Sequence, residues 1–143
     1  MKVRKYMQEK WTIWNAISNP SEQYHLEACS TTADYGLAII IRDDSDNKLA
    51  ITLPGYICSY RITNESFALE TLAFLDNSYG KEFYTQNAFF TIENSEYLEW
   101  MKTQVDPIAF EYYKFKHYCI FTPQEKIDII SNYEPQISLL ENA

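Results

Sequence analysis

His117 and Cys119 stand two positions apart in KHYCIF, and in a strand that spacing turns both side chains to one face. A thiolate beside an imidazole is the smallest unit of nucleophilic catalysis, the imidazole taking the proton that the sulfur must lose. Strand neighbours at i, i+2 lie beyond dependable hydrogen-bond reach, and Phe115 and Phe121 would share the face. The first reading is therefore a half-buried histidine and an inert core thiol, with a reactive His117–Cys119 pair as the alternative. His25 and Cys29 share a face only by parity, and no spacing among the two His and three Cys announces a zinc site. Asp43, Asp44, Asp46 and Asn47 begin like a calcium loop. Counting from Asp44, however, the glycine position holds Leu49 and the terminal glutamate position holds Gly55, so a solvated hairpin tip is expected.

Paired carboxylates, Glu96 with Glu99 and Glu125 with Asp128, could hold one pKa high and one low for acid–base work. Both spacings equally suit the first turn of a helix, where the macrodipole favours negative charge. Glycine-rich phosphate cradles, GxSxG and HExxH are absent from the sequence, so neither a cofactor nor a metal is expected. The unusual feature is aromatic content: three Trp, twelve Tyr and eight Phe, several beside acids, as in NSEYLEW and in Phe110-Glu111-Tyr112-Tyr113. Tyr and Trp give contact area at low entropic cost and Glu steers a basic partner. The competing use of the same residues is to fill sheet faces. Glu96, Glu99, Trp100, Glu111, Tyr112 and Tyr113 are the candidate contact residues.

The elements that must position these side chains follow from periodicity. Tyr24 to Ser30, Tyr35 to Arg42, Leu49 to Leu53 and Tyr56 to Ile62 are rich in β-branched and aromatic residues and are broken by turn chemistry at Asp43 to Asn47 and at Pro54-Gly55. They read as an antiparallel meander. The segment around Trp11 and Ile13 does not settle helix against strand. Ala68, Leu72 and Leu75 then predict a helix with Asn64 near its start and Gly80 beyond its end. Ala88 to Ile92 reads as a strand and Glu96 to Gln104 as a helix capped by Asn94 or Ser95. Its inner stripe carries Tyr97, Leu98, Met101 and Val105, with Trp100 at the edge. Tyr113 to Phe121 reads as a strand. Thr122-Pro123-Gln124-Glu125 has the form of a capping box opening a third helix, which would carry Ile127 and Ile130 inward and stop before Pro135.

A chain of 143 residues without repeats or linkers suits a single domain spanning 1–143. The expected class is α+β, mainly antiparallel sheet with about three helices packed on it; a parallel arrangement of the last strands is the variant. Net charge is -8, and it is uneven. Residues 1 to 10 hold four basic side chains against Glu9, a balance of +3, while the remainder carries eight basic and nineteen acidic residues, or -11. Such a body argues against binding nucleic acid or an anionic membrane. No export signal or membrane span is read, and three scattered cysteines without CxxC pairing fit reduced thiols in a cytoplasm.

The stretch NSEYLEW, followed by HYCIFTPQEKIDIISNYEP, resembles small bacterial proteins of the toxin-immunity type, over about the last third of the chain from Phe89 to Pro135. Its motifs are strand-to-helix junctions without chemical specificity. The resemblance implies a protein that binds and neutralises a cognate toxin without catalysis, and it carries over no binding residue. Taken with the acidic body, it makes a non-enzymatic protein-binding module, an immunity-type inhibitor of a basic bacterial toxin or effector, the expected function. The alternatives are a small enzyme or ligand-binding domain with an aromatic-lined pocket, and a homodimer whose exposed aromatics cover one another.

Overall fold

A computed structural model describes residues 9–33, 36–53 and 59–140. The Pro54-Gly55 turn, Tyr35, Tyr56, Cys58 and the basic residues Lys2, Arg4 and Lys5 lie outside them. The strands are β1 (Lys10–Ile13), β2 (His25–Thr32), β3 (Gly36–Arg42), β4 (Lys48–Leu53) and β5 (Ser59–Asn64), then β6 (Phe89–Glu93), β7 (Lys116–Phe121), β8 (Glu125–Ser131) and β9 (Gln136–Leu140). The helices are α1 (Leu69–Ser78), α2 (Glu82–Thr85), α3 (Glu96–Gln104) and α4 (Pro107–Tyr113). The fold is α+β. Instead of one sheet the described residues form two, in the orders β1-β6-β7-β8-β5 and β2-β3-β4-β9. Every pairing among the described residues is antiparallel, which sets aside the parallel variant.

The sheets stack because each has an apolar face. On the four-stranded sheet, alternate residues of β3 and β4 turn Leu37, Ile39, Ile41, Leu49, Ile51 and Leu53 inward, all buried. They meet Phe89, Tyr118, Ile120, Ile127 and Ile129 from the five-stranded sheet in one core. Trp14 closes its edge, tilted against Tyr118 at 5.0 Å and edge-on to Phe89 at 5.9 Å, with its indole N–H donating to Glu134. The opposite face of the five-stranded sheet is roofed by helices. Phe90, Ile92, Cys119 and Phe121 lie with Trp11 under Leu75 of α1 and Phe83 and Tyr84 of α2, while Ile130 lies under Tyr97 and Met101 of α3.

Three expectations need correction. β5 leaves the meander: only β2, β3 and β4 follow one another, and β5 crosses to pair with β8. Residues 125 to 131 are strand, not helix. Thr122 does accept from the amides of Gln124 and Glu125, as a cap would, but its own N–H donates to the Glu125 carbonyl and closes a hairpin between β7 and β8. Ile127, Ile129 and Ile130 are buried on both faces of a central strand, and such a β-branched run outweighs a local cap shared by turns and helices. Helix α4 occupies the approach to the expected Tyr113–Phe121 strand. Asp106 accepts from the amides of Ile108 and Ala109, Pro107 sits at the first helical position, and Lys114 ends the helix at φ 53°.

Elsewhere the reading agrees. Ser95 caps α3 through Leu98 N–H, and Tyr97 and Met101 face inward. Asn64 caps a single 3₁₀ turn ahead of α1, and Gly80 follows α1 at φ +88°, a conformation other residues resist. The Asp43 carboxylate organises the β3–β4 hairpin tip, accepting from Ser45 N–H, Asn47 N–H, Asn47 Nδ2 and Ser21 Oγ. Burial alone would raise its pKa, but these bonds hold it below the usual carboxylate value.

Two substitutions test the layered packing. Phe90→Ala, which removes a fully buried ring between Trp11, Phe83 and Phe121, should lower stability by about 3–5 kcal/mol. Phe67→Ala, at a position 84% exposed, should change it by less than about 0.5 kcal/mol. Urea denaturation of both variants measures the contrast.

Candidate functional site

The chemically competent side chains converge on the helix-covered face of the five-stranded sheet. β7 turns His117, Cys119 and Phe121 to that face, and β8 turns Lys126, Asp128 and Ile130. Register places Asp128 between Cys119 on β7 and Arg61 on β5. The Asp128 carboxylate is wholly buried and divides its oxygens: Oδ1 takes His117 Nε2 at 2.7 Å, and Oδ2 takes Lys126 Nζ at 2.9 Å and Arg61 Nε at 3.0 Å. Burial would by itself push this carboxyl up. The bond from His117 and the charges of Lys126 and Arg61 overcome that and hold it far below the usual carboxylate range.

His117 continues the chain of bonds. Its Nδ1 lies 2.7 Å from Ser95 Oγ, the oxygen that caps α3 by accepting from Leu98 N–H. An ionised Asp128 can only accept, so His117 Nε2 carries the hydrogen of that bond, while Nδ1 and the Ser95 hydroxyl share the second. Tyr97 stands edge-on to the His117 ring at 5.4 Å, its ring lies 4.1 Å beneath the Arg61 guanidinium, and its hydroxyl bonds Ser59. Glu9 completes the cluster. Its carboxylate accepts from Glu96 N–H at the start of α3 and from the Trp11 indole, and burial raises its pKa.

Ser95, His117 and Asp128 are linked in the sequence of a nucleophilic triad: hydroxyl, imidazole, carboxylate. Exposure decides what they do. Ser95 and Asp128 are 0% exposed and His117 2%, so the Ser95 oxygen has no room beside it for a reacting atom. The arrangement works as an anchor, fastening the first turn of α3 to three strands. Sequence reasoning missed it because Ser95 and Asp128 lie 33 positions apart and on different kinds of element.

The expected pairings fare as follows. His117 and Cys119 do share a face, but His117 is fully buried and committed to Ser95 and Asp128. Burial and the charge of Asp128 raise the Cys119 thiol well above its ordinary pKa, the reverse of nucleophile activation. His25 and Cys29 lie on opposite faces, because a bulge between Leu26 and Ala28 inserts one residue and inverts parity. His25 turns to Asp44, and Cys29 packs toward the inter-sheet core. Glu125 and Asp128 sit on opposite faces of β8 and form no acid–base pair.

Glu96 and Glu99 occupy the exposed first turn of α3, with Trp100 beside them at 50% exposure, stacked on Tyr97 at 5.8 Å. Glu111, Tyr112 and Tyr113 lie on α4, which follows α3 after Val105 and Asp106. Tyr112 is 77% exposed, Tyr113 48% and the neighbouring Ile108 81%. The structure thus brings the six expected contact residues onto two consecutive helices. A separate cleft of about 180 Å³ is lined by Leu72, Tyr84, Phe121, Glu22 and Glu65. It falls below the roughly 300 Å³ where small-molecule sites begin. Burial and a 2.6 Å bond to Asp76 push the Tyr84 phenol at its wall up to about 12, leaving it no acid–base role near neutrality.

Asp128→Asn should cost about 3–5 kcal/mol, because Lys126, itself 7% exposed, loses its counter-charge in a buried site. The sign with pH follows from the lowered pKa. Asp128 contributes its full stabilisation above the unfolded carboxyl pKa of about 4 and loses it as pH falls further, so denaturation between about pH 4 and pH 2 should be less pH-dependent in Asp128→Asn than in the parent chain. Folded protein treated with iodoacetamide at neutral pH should leave Cys119 unmodified by peptide mass mapping; labelling there would revive the thiol as a nucleophile. No family model, no curated protein and no solved structure matches the chain.

Proposed function

We propose that this chain is a non-enzymatic protein-binding module that presents the outer face of α3 and α4 to a basic partner, and that it acts as an immunity-type inhibitor of a bacterial toxin or effector. The observation that carries the reading is the exposure of Trp100, Ile108, Tyr112 and Tyr113 on two consecutive helices while the triad-like side chains are sealed beneath α3. Large apolar side chains held in water on a rigid element are the usual anchors of a protein interface. Glu96, Glu99 and Glu111 flank them; Lys102 and Lys114 moderate the local charge, so the steering toward a basic partner comes mainly from the -8 of the whole chain.

The inhibitor role rests on the resemblance of the segment from Phe89 to Pro135, which contains α3, α4 and the β7–β8 hairpin. The partner would be cytosolic and encoded beside its inhibitor. Affinity capture with the tagged chain from its native lysate, run beside Trp100→Ala/Tyr112→Ala, tests the proposal. The parent chain should retain one specific basic protein at low and moderate salt, and each truncation should weaken binding by about 2 kcal/mol, roughly thirtyfold. Equal recovery by parent and variant, or no recovery by either, would count against it.

A further inference from the structure

Among the described residues, four strands border the two sheets, and three have protected edges. β1 is four residues long and its Trp11 N–H donates to the Tyr79 hydroxyl. β2 carries the bulge at Glu27, whose carboxylate pairs with Lys48 and Arg42. β5 has the charged Arg61 at its middle. β9 has none of these devices. It reads Gln136-Ile137-Ser138-Leu139-Leu140, without a charge, a proline or a bulge, in unbroken register with β4. An uncharged, regular edge is a template for another strand.

We infer that β9 pairs antiparallel with β9 of a second copy of this chain. The strand is its own complement. Ile137 and Leu139 lie opposite Ile51 and Leu49 and so point to the core side, while Gln136, Ser138 and Leu140 point to the other. In an antiparallel ladder, opposed residues share a face. Centring the two-fold on Ser138 is the register that pairs all five residues and keeps the faces matched: Ile137 meets the second copy's Leu139, and Gln136 meets its Leu140. Two half-buried Ile137 and two Leu139, each now 65% exposed, would then form one apolar cluster across the axis. The closed two-fold pair would join two four-stranded sheets into one of eight strands. This surface is separate from the α3–α4 face, so the inference does not depend on the proposed function.

Sedimentation velocity on the full chain, from about 1 μM to about 1 mM, tests it. The sedimentation coefficient should rise with concentration toward a dimer. Added salt should favour dimer, since each copy carries -8. Leu139→Lys, which puts a charge on the edge without touching the β4 ladder, should shift the midpoint upward by about tenfold or more. As a second readout, Ser138→Cys should yield a disulfide-linked dimer above the parent background under mild oxidation, because the two thiols would face each other across the axis. Gln136→Cys should not. Monomer at every concentration, a midpoint unmoved in a folded Leu139→Lys, or no cross-link through Cys at position 138 would each overturn the pairing.

Discussion

The Asp128 carboxylate is the charge around which the helical layer is arranged. Burying an isolated anion in this interior would be prohibitive, and a single counter-ion seldom repays the loss of water. Here three donors from three strands surround it: His117 from β7, Lys126 from its own β8 and Arg61 from β5. Two of the three are in turn oriented by something else. Ser95 fixes the imidazole, and the Tyr97 ring lies under the guanidinium. The position of α3 is therefore set by directional bonds as well as by the packing of Tyr97 and Met101 on Ile130. Trp100 inherits that placement without touching the network's charged centre.

The two faces of the five-stranded sheet divide labour along each strand. Tyr118 and Ile120 join the inter-sheet core, while their neighbours His117, Cys119 and Phe121 serve the helical side. β8 does the same with Ile127 and Ile129 against Lys126, Asp128 and Ile130. A strand buried on both faces loses the polar alternation that marks a surface strand. That loss explains why KIDIIS imitates a helix in sequence, and why its charged pair of Lys126 and Asp128 looks like solvent-facing residues when both are buried.

What was legible in the sequence follows from how local its determinants are. Helix α3 came through with its ends, its cap narrowed to Asn94 or Ser95, and its inner stripe, because 3.6-residue periodicity and capping chemistry act within ten residues. The meander of β2, β3 and β4 was equally local. The capping-box form at Thr122 misled, since hydrogen bonds from Thr122 to the following amides serve a hairpin as readily as a helix start. The Asp106-Pro107 start of α4 carries a comparable signal, but the strand expected from Tyr113 onward obscured it. The anchor itself was out of reach: nothing in sequence says that Ser95, Arg61 and Asp128 meet. The bulge in β2 likewise reverses the parity of His25 and Cys29, and no residue there announces it.

The crossing of strands between the sheets has a consequence for the order of synthesis. β5, from the first half of the chain, completes a sheet otherwise built mainly from the second half, and β9, the last strand, completes the sheet of β2, β3 and β4. Neither sheet can close until both halves exist, and Trp14 finds its Glu134 partner only after β8 has been made. On a ribosome the N-terminal half would emerge with its Leu37, Ile39 and Ile41 face uncovered. Topology of this kind places the fold among slow folders, dominated by contacts distant in sequence, and gives a nascent chain reason to be shielded until β9 is free.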